Sequence, residues 1–409
     1  MYGLIRLRWE RYMNRLIFEG RFLVNMVGSI VRQDELRAVH SRIEWERMYR
    51  TADYHRIANI TYLGLLGYGG KIPERWQERF FERYQEALKF SDVCEEDEQE
   101  ILMMMDMMEL SCVVLTSCKV RRLYQIPEMA GSSPLRLMFD ETNYTLAKGY
   151  LVDLGYETDQ TYKGYGERMR RISGFCVEIY HKLPFRSCPY TKNMSRILDS
   201  AYIRDLCQYV RTLSLENRFV FMIAQAAYHY AQDELLIREV LDLYLYHRAW
   251  REQMNQEYID GRVAEFGIDG LAAKLLQLAY MWFGAKEEIL PAEQPEDIGV
   301  FDILENRILS RGEISHETDR QALRLACLIQ RDKEKEARRD RREAFYEACG
   351  KLWSAFMRKV RWIFPEYRYM CAVYPFLEKV PVLLPFYWIR RGIRLLKCMV
   401  TGKSKKETT

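Results

Sequence analysis

A chain of 409 residues with 48% apolar content has the material for two or three packed units and a sizeable core. A net charge of +4, with no Arg/Lys stripe interleaved with aromatic residues, argues against a nucleic-acid platform, and no apolar run reaches the ~18 residues of a membrane span. Ten cysteines include no Cys-x-x-Cys pair and no Cys/His cluster at zinc spacing, so they are expected to be reduced thiols in a cytoplasmic protein, with no metal site among them.

From Met1 to Phe18 the chain is amphipathic, and Arg6, Arg8, Arg11 and Arg15 break any apolar leader. Up to about Ser111 apolar residues recur at helical spacing, as in Met48 and Ala52, four apart, and Ile57, Ile60, Leu63 and Leu66, three apart, with Ile43 before them, which predicts helices. Gly64 to Lys71 has the look of a phosphate loop, but Leu65 stands where its first glycine belongs and Ile72 where its hydroxyl belongs, so a helix-ending loop before Pro73 is expected. The acidic run Glu95 to Glu100 is expected to cap a methionine-rich helix over 101–110, with its methionines as core filler. From Ser111 to Leu183 the pattern changes. An apolar helix-to-loop run over Ile101 to Val114 leads into it. Then come a strand near Pro134 to Phe139, a helix over Glu141 to Leu154 stopped by Gly155, and a strand over Phe175 to His181, one βαβ-like unit. Helices follow, interrupted by a Pro291/Pro295 linker in Ala285 to Val300, with long helices over Asp319 to Phe364 and an aromatic, basic tail.

These elements resemble the uncharacterised bacterial nucleotidyltransferases. The family runs Leu-Lys-Gly, Leu-Tyr-Pro, a strand with Asp-x-Asp, a helix ending Leu-Gly-Tyr, and a strand reading Val-Glu-Leu-His. The matching pieces are Leu115-Thr116-Ser117, Leu123-Tyr124-Gln125, Pro134-Leu135-Arg136, Leu154-Gly155-Tyr156 and Val177-Glu178-Ile179-Tyr180. Trp45, Ala52 and His55 match an earlier family helix, and the stretch Tyr374 to Arg390 matches the family's C-terminal signature. A family helix with two histidines four apart is matched by Gln225 and His229, and an Arg-x-x-x-Asp pair by Arg238 and Asp242, for which an intrahelical ion pair is the plainer reading. His55 is expected to be a buried, hydrogen-bonded histidine.

The resemblance implies a predominantly helical α+β fold, with a small mixed nucleotidyltransferase-like sheet flanked by helical regions. The expected divisions are a helical region over 1–110, an α/β core over 111–190, a helical region over 191–290, and C-terminal helices with the tail over 291–409. It also implies transfer of a nucleotidyl group from an NTP, a possible ligand here. That chemistry needs Asp-x-Asp, since residues i and i+2 of a strand present carboxylates about 7 Å apart on one face, where they hold Mg2+. In a gapless alignment both are gone, replaced by Pro134 and Arg136, and Glu178 alone is kept. A second alignment keeps Asp140 as a first ligand, with Thr142 in place of the second Asp. Glu178 and Asp140 are therefore the candidate catalytic residues. Thr116, Ser117, Arg136, His229, Arg238 and Asp242 are the candidates for binding a nucleotide. The expected function is a degenerate, pseudoenzyme-like module binding a nucleotide or a protein partner, with no cofactor. The alternatives are active Mg2+-dependent transfer and attachment of the tail to a membrane surface. Arg136 and Glu178 are expected to pair across the lost metal site.

Overall fold

The computed structural model describes residues 17–36, 43–162, 164–183, 185, 190–285, 298–313, 319–364, 366–367, 370, 373–378 and 380–400. The amphipathic stretch over 1–16, the Pro291/Pro295 linker and the lysines at 403, 405 and 406 lie outside the described residues. Two units divide at Lys333/Glu334.

The three-and-four spacing of the N-terminal region folds as helices α1 (Phe18–Arg32), α2 (Trp45–Tyr54), α3 (Ala58–Leu66) and α4 (Glu74–Met107). The glycine-containing loop after Leu66 follows a helix and ends at Pro73, the N-cap of α4. The acidic run is not a helix cap. It lies inside α4, where Glu98 is buried and accepts from Ser117 Oγ, while Asp97 takes Arg171 and Ser173. The methionines divide by face, with Met105 fully buried and Met107 76% exposed.

After α4 come β1 (Cys112–Thr116), β2 (Leu135–Phe139), α5 (Glu141–Asp153), β3 (Glu157–Tyr162), β4 (Gly166–Arg170) and β5 (Cys176–Tyr180). Then follow α6 (Thr191–Asp199), β6 (Tyr202–Ile203) and β7 (Val210–Thr212). The strands form one mixed sheet in the order β3-β4-β5-β2-β1-β7-β6. β2 and β5 are parallel neighbours, as the strand, helix, strand pattern predicts, but the crossover also carries the antiparallel hairpin β3–β4. The period of two sorts the residues. Leu135, Leu137, Phe139, Val177 and Ile179 pack under α4 and α5 with Phe90, Ile101 and Leu151, leaving Arg136 and Glu178 on the other face. A bulge between Val114 and Thr116 shifts the end of β1, so that Thr116 pairs with Arg136.

The remaining helices of this unit are α7 (Leu215–Ala231), α8 (Ile237–Trp250), α9 (Gln256–Glu265), α10 (Asp269–Phe283) and α11 (Ile298–Ser310). With α1 to α3 they build the larger core, which β1 joins through Val113 and Leu115. Helix α12 (Arg320–Ile363) runs through the division at Lys333/Glu334, and α13 (Leu384–Val400) belongs to the second unit. There Met370 and Leu377 are buried beneath Tyr374, Leu384, Tyr387 and Trp388. No helix among the described residues is long and apolar enough to cross a membrane. The observed fold is thus the expected predominantly helical α+β class with a mixed sheet.

His55 is 1% exposed, and its Nδ1 accepts from the Ile237 N–H at the start of α8. Burial, with the Arg311 charge, lowers its pKa to about 3. The native state therefore refuses a proton that the unfolded chain takes up near pH 6.5. This stabilisation is complete above about pH 6.5 and erodes as pH falls toward 3, by on the order of 4 kcal/mol at most. Urea titrations on either side of that window are expected to show the loss in the native chain and a smaller loss in His55→Asn, whose Oδ1 can still accept. Equal pH dependence in the two proteins would contradict this.

Candidate anion-binding cleft

Between the second face of the sheet and helices α2, α3, α4, α7 and α8 lies a cleft of about 660 Å³. That is within the ~300–1,000 Å³ usual for small-molecule sites. The sheet contributes Thr116, Arg136 and Arg168, and the loop before β2 adds Gly131, Ser132, Ser133 and Pro134. The turn between α2 and α3 contributes Arg56, the loop before α8 Glu234, and the helices Asn59, Arg218, Gln225, His229, Arg238, Glu239 and Asp242, together with Arg83 paired to Asp53 and Glu86, and with Met222 and Leu243 among the apolar lining.

Arg136 and Glu178 are partners in the β2–β5 register, and Arg136 Nε donates to Glu178 Oε2 at 2.7 Å. The expected pairing on one sheet face is present. It is larger than expected, because Arg168 on β4 donates to Oε1 from Nε and Nη2 at 2.9 and 2.6 Å. Tyr162 and Tyr180 donate to the same carboxylate at 3.0 and 2.8 Å. Burial alone would raise the Glu178 pKa, but Arg136, Arg168 and the phenol hydrogen bonds overcome it and hold the carboxyl at about 2.

This arrangement does not suit the Mg2+ implied by the resemblance. Pro134 has no side-chain donor, Arg136 is a fixed cation, and the two Glu178 oxygens are occupied by four side chains. Among the described residues no cluster of three His, Cys, Asp or Glu could hold a metal ion. Asp140 is the N-cap of α5, accepting from the Asn143 N–H and Nδ2 at 2.8 Å each; it is exposed and is not among the residues lining the cleft.

The family model of the uncharacterised nucleotidyltransferases matches residues 41–284. The chain belongs to this family. Neither a search of curated proteins nor one of solved structures finds a match.

Within this nucleotidyltransferase-family domain the other singled-out residues divide by partner. Thr116 lines the cleft, whereas Ser117 turns its hydroxyl to the buried Glu98. Gln225 and His229 do share a helix face, and both reach Glu239 Oε1, at 3.1 and 2.8 Å. Burial would lower the His229 pKa, but the Glu239 charge and hydrogen bond raise it. Arg238 and Asp242 form no direct ion pair. Tyr124 bridges them, accepting from Arg238 Nη1 at 3.1 Å and donating to Asp242. Burial pushes the Asp242 carboxyl up to about 6. All of the Arg238 guanidinium is taken up by the protein, through Arg56 O, Asn59 Oδ1, Met129 O and Tyr124.

Three cations were not singled out in the sequence. Arg168 is on a strand that the pattern did not reveal. Arg218 reaches only the Thr212 hydroxyl, at 2.8 Å, among its described contacts. Arg56 follows the Ala52-x-x-His55 pair, which was a usable signal. Its backbone is left-handed at φ 56, a costly conformation for arginine that the two bonds from Arg238 to its carbonyl hold in place. No hydrogen bond or ion pair holds its guanidinium among the described residues. Desolvation in the cleft, then the charges of Arg136 and Arg168, lower its pKa. Repulsion of this kind marks a place where an anion is favoured.

Proposed function

We propose that the protein is a catalytically degenerate nucleotidyltransferase-family member that binds a nucleotide by its phosphates, with guanidinium groups standing where the metal ions of an active enzyme would be. The observation that carries this reading is the exchange of partners in the cleft. The carboxylate kept from the family motif, Glu178, is committed to Arg136 and Arg168, while among the described residues Arg56 has no ion-pair partner and Arg218 reaches only a hydroxyl. Arginine suits this use because its planar fork meets phosphate oxygens with two parallel hydrogen bonds and does not deprotonate. Metal-dependent transfer has no support from the donor set, because two-metal chemistry needs carboxylates that β2 does not carry.

Calorimetric titration with ATP, GTP, CTP and UTP, each with and without Mg2+, tests the reading. Binding of at least one nucleotide without Mg2+ is expected, unimproved by the ion. Arg56→Ala should weaken it by about tenfold or more, the worth of one charge-assisted contact. Failure of all four to bind would refute the proposal, as would binding that depends on Mg2+ or labelled NTP incorporation above background.

A further inference from the structure

The second unit differs from the first in charge and surface. Residues 334–409 carry 18 Lys and Arg against 8 Asp and Glu, whereas residues 1–333 carry 44 against 50, so the modest overall charge conceals a strongly basic C-terminal part. Such a segregation marks a segment that meets an anionic surface. The same unit leaves large apolar side chains in water. On α12, Phe345, Leu352 and Phe356 are 66%, 72% and 55% exposed, with Trp353 beside them at 65%. Phe345, Cys349, Leu352 and Phe356 are spaced four, three and four apart, so they form one stripe about 16 Å long on the helix.

Helix α13 has apolar residues on two faces. Leu384, Tyr387 and Trp388 pack inward against Met370 and Leu377. That face meets the need of the small core, yet Phe386, Ile389 and Ile393, on the other side, are 60%, 62% and 51% exposed, with Arg390 flanking them. An apolar tail that merely closed a core would not need this outer face.

We infer that the second unit is a peripheral membrane anchor, whose outer α13 face and aromatic α12 stripe enter the headgroup region of an anionic lipid bilayer. Two features select lipid. The exposed set mixes aliphatic residues with aromatic ones, and isoleucine and leucine gain nothing from stacking on nucleic-acid bases. A bilayer also accepts apolar side chains without a shaped groove, and its anionic headgroups match the excess of arginine and lysine.

The test is flotation of the full-length chain with vesicles of phosphatidylcholine mixed with phosphatidylglycerol, and with vesicles of phosphatidylcholine alone. Binding to the anionic vesicles that weakens with salt is expected, with far less on the neutral ones. Phe386→Ser with Ile389→Ser, both at exposed positions, should reduce binding by about tenfold or more while leaving the melting temperature unchanged. Arg390→Glu serves as a second variant, weakening binding through charge alone. Equal flotation of native and variant chains would overturn the inference. So would binding to both vesicle types alike, binding to an oligonucleotide but not to vesicles, or a self-association removed by the serine substitutions in a chain that ignores vesicles.

Discussion

Glu178→Gln is expected to destabilise the folded chain by about 3–5 kcal/mol, the usual consequence of breaking a buried ion pair from one side. The substitution keeps the shape, but Tyr162 and Tyr180 donate to opposite oxygens of Glu178, and the amide leaves an acceptor for only one of them. What it removes is the negative charge between Arg136 and Arg168, whose side chains are 21% and 19% exposed against 2% for Glu178. Two guanidiniums would then face each other across a neutral amide. The pH dependence offers a second measure. The Glu178 pKa is depressed from 4.5 to about 2, so its contribution is fully present above about pH 4.5 and is lost as pH falls through 2. The variant should lack that acid-dependent component. Urea denaturation at neutral pH checks the main effect, and a difference under about 1 kcal/mol would show that the carboxylate is not the keystone of this face.

Arg238→Ala should be comparably severe, at about 3–5 kcal/mol, because it strips hydrogen bonds from the Arg56 and Met129 carbonyls, Asn59 and Tyr124 in one step. Arg238→Lys should rescue little, since a single ammonium group cannot satisfy acceptors arranged around a planar fork. Arg238 also holds the left-handed Arg56 backbone at the mouth of the cleft. Any nucleotide binding should therefore fall together with stability. If Arg238 instead touched the ligand directly, binding would fall while the melting temperature stayed put. Scanning fluorimetry beside calorimetry separates the two.

The legible parts of the fold are those with a local period. Leu135, Leu137 and Phe139 alternate along one strand and Val177 and Ile179 along the other, so the parity that buries them also places Arg136 and Glu178 together on the opposite face. Strand β1 was hidden because Cys112 to Leu115 are buried on both faces, and a short unbroken apolar run reads equally as the end of the preceding helix. Strand β3 was hidden for the opposite reason. Glu157 to Thr161 are all exposed, so this edge strand has no apolar alternation to detect. Because β3 and β4 were not legible, neither was Arg168. The acidic run in α4 has the composition of a helix cap, and its burial is invisible locally because its partners, Ser117, Arg171 and Ser173, lie 19 to 76 residues away.

The sequence by itself determined the helical character, the two central strands and their parity, membership of the family, and the loss of the paired carboxylates from β2. These depend on residue identity at a position or on spacing within a few turns, and short-range sterics and burial translate them directly into structure. Which charges neutralise one another was decided only by the tertiary structure. Arg168 joining Glu178, Arg238 committed to the Arg56 carbonyl, and Arg56 left facing an open cleft all depend on contacts between segments far apart in the chain. A charged residue looks the same in sequence whether it is paired, clamped or free, and only the fold sets the distance and dielectric that distinguish these states.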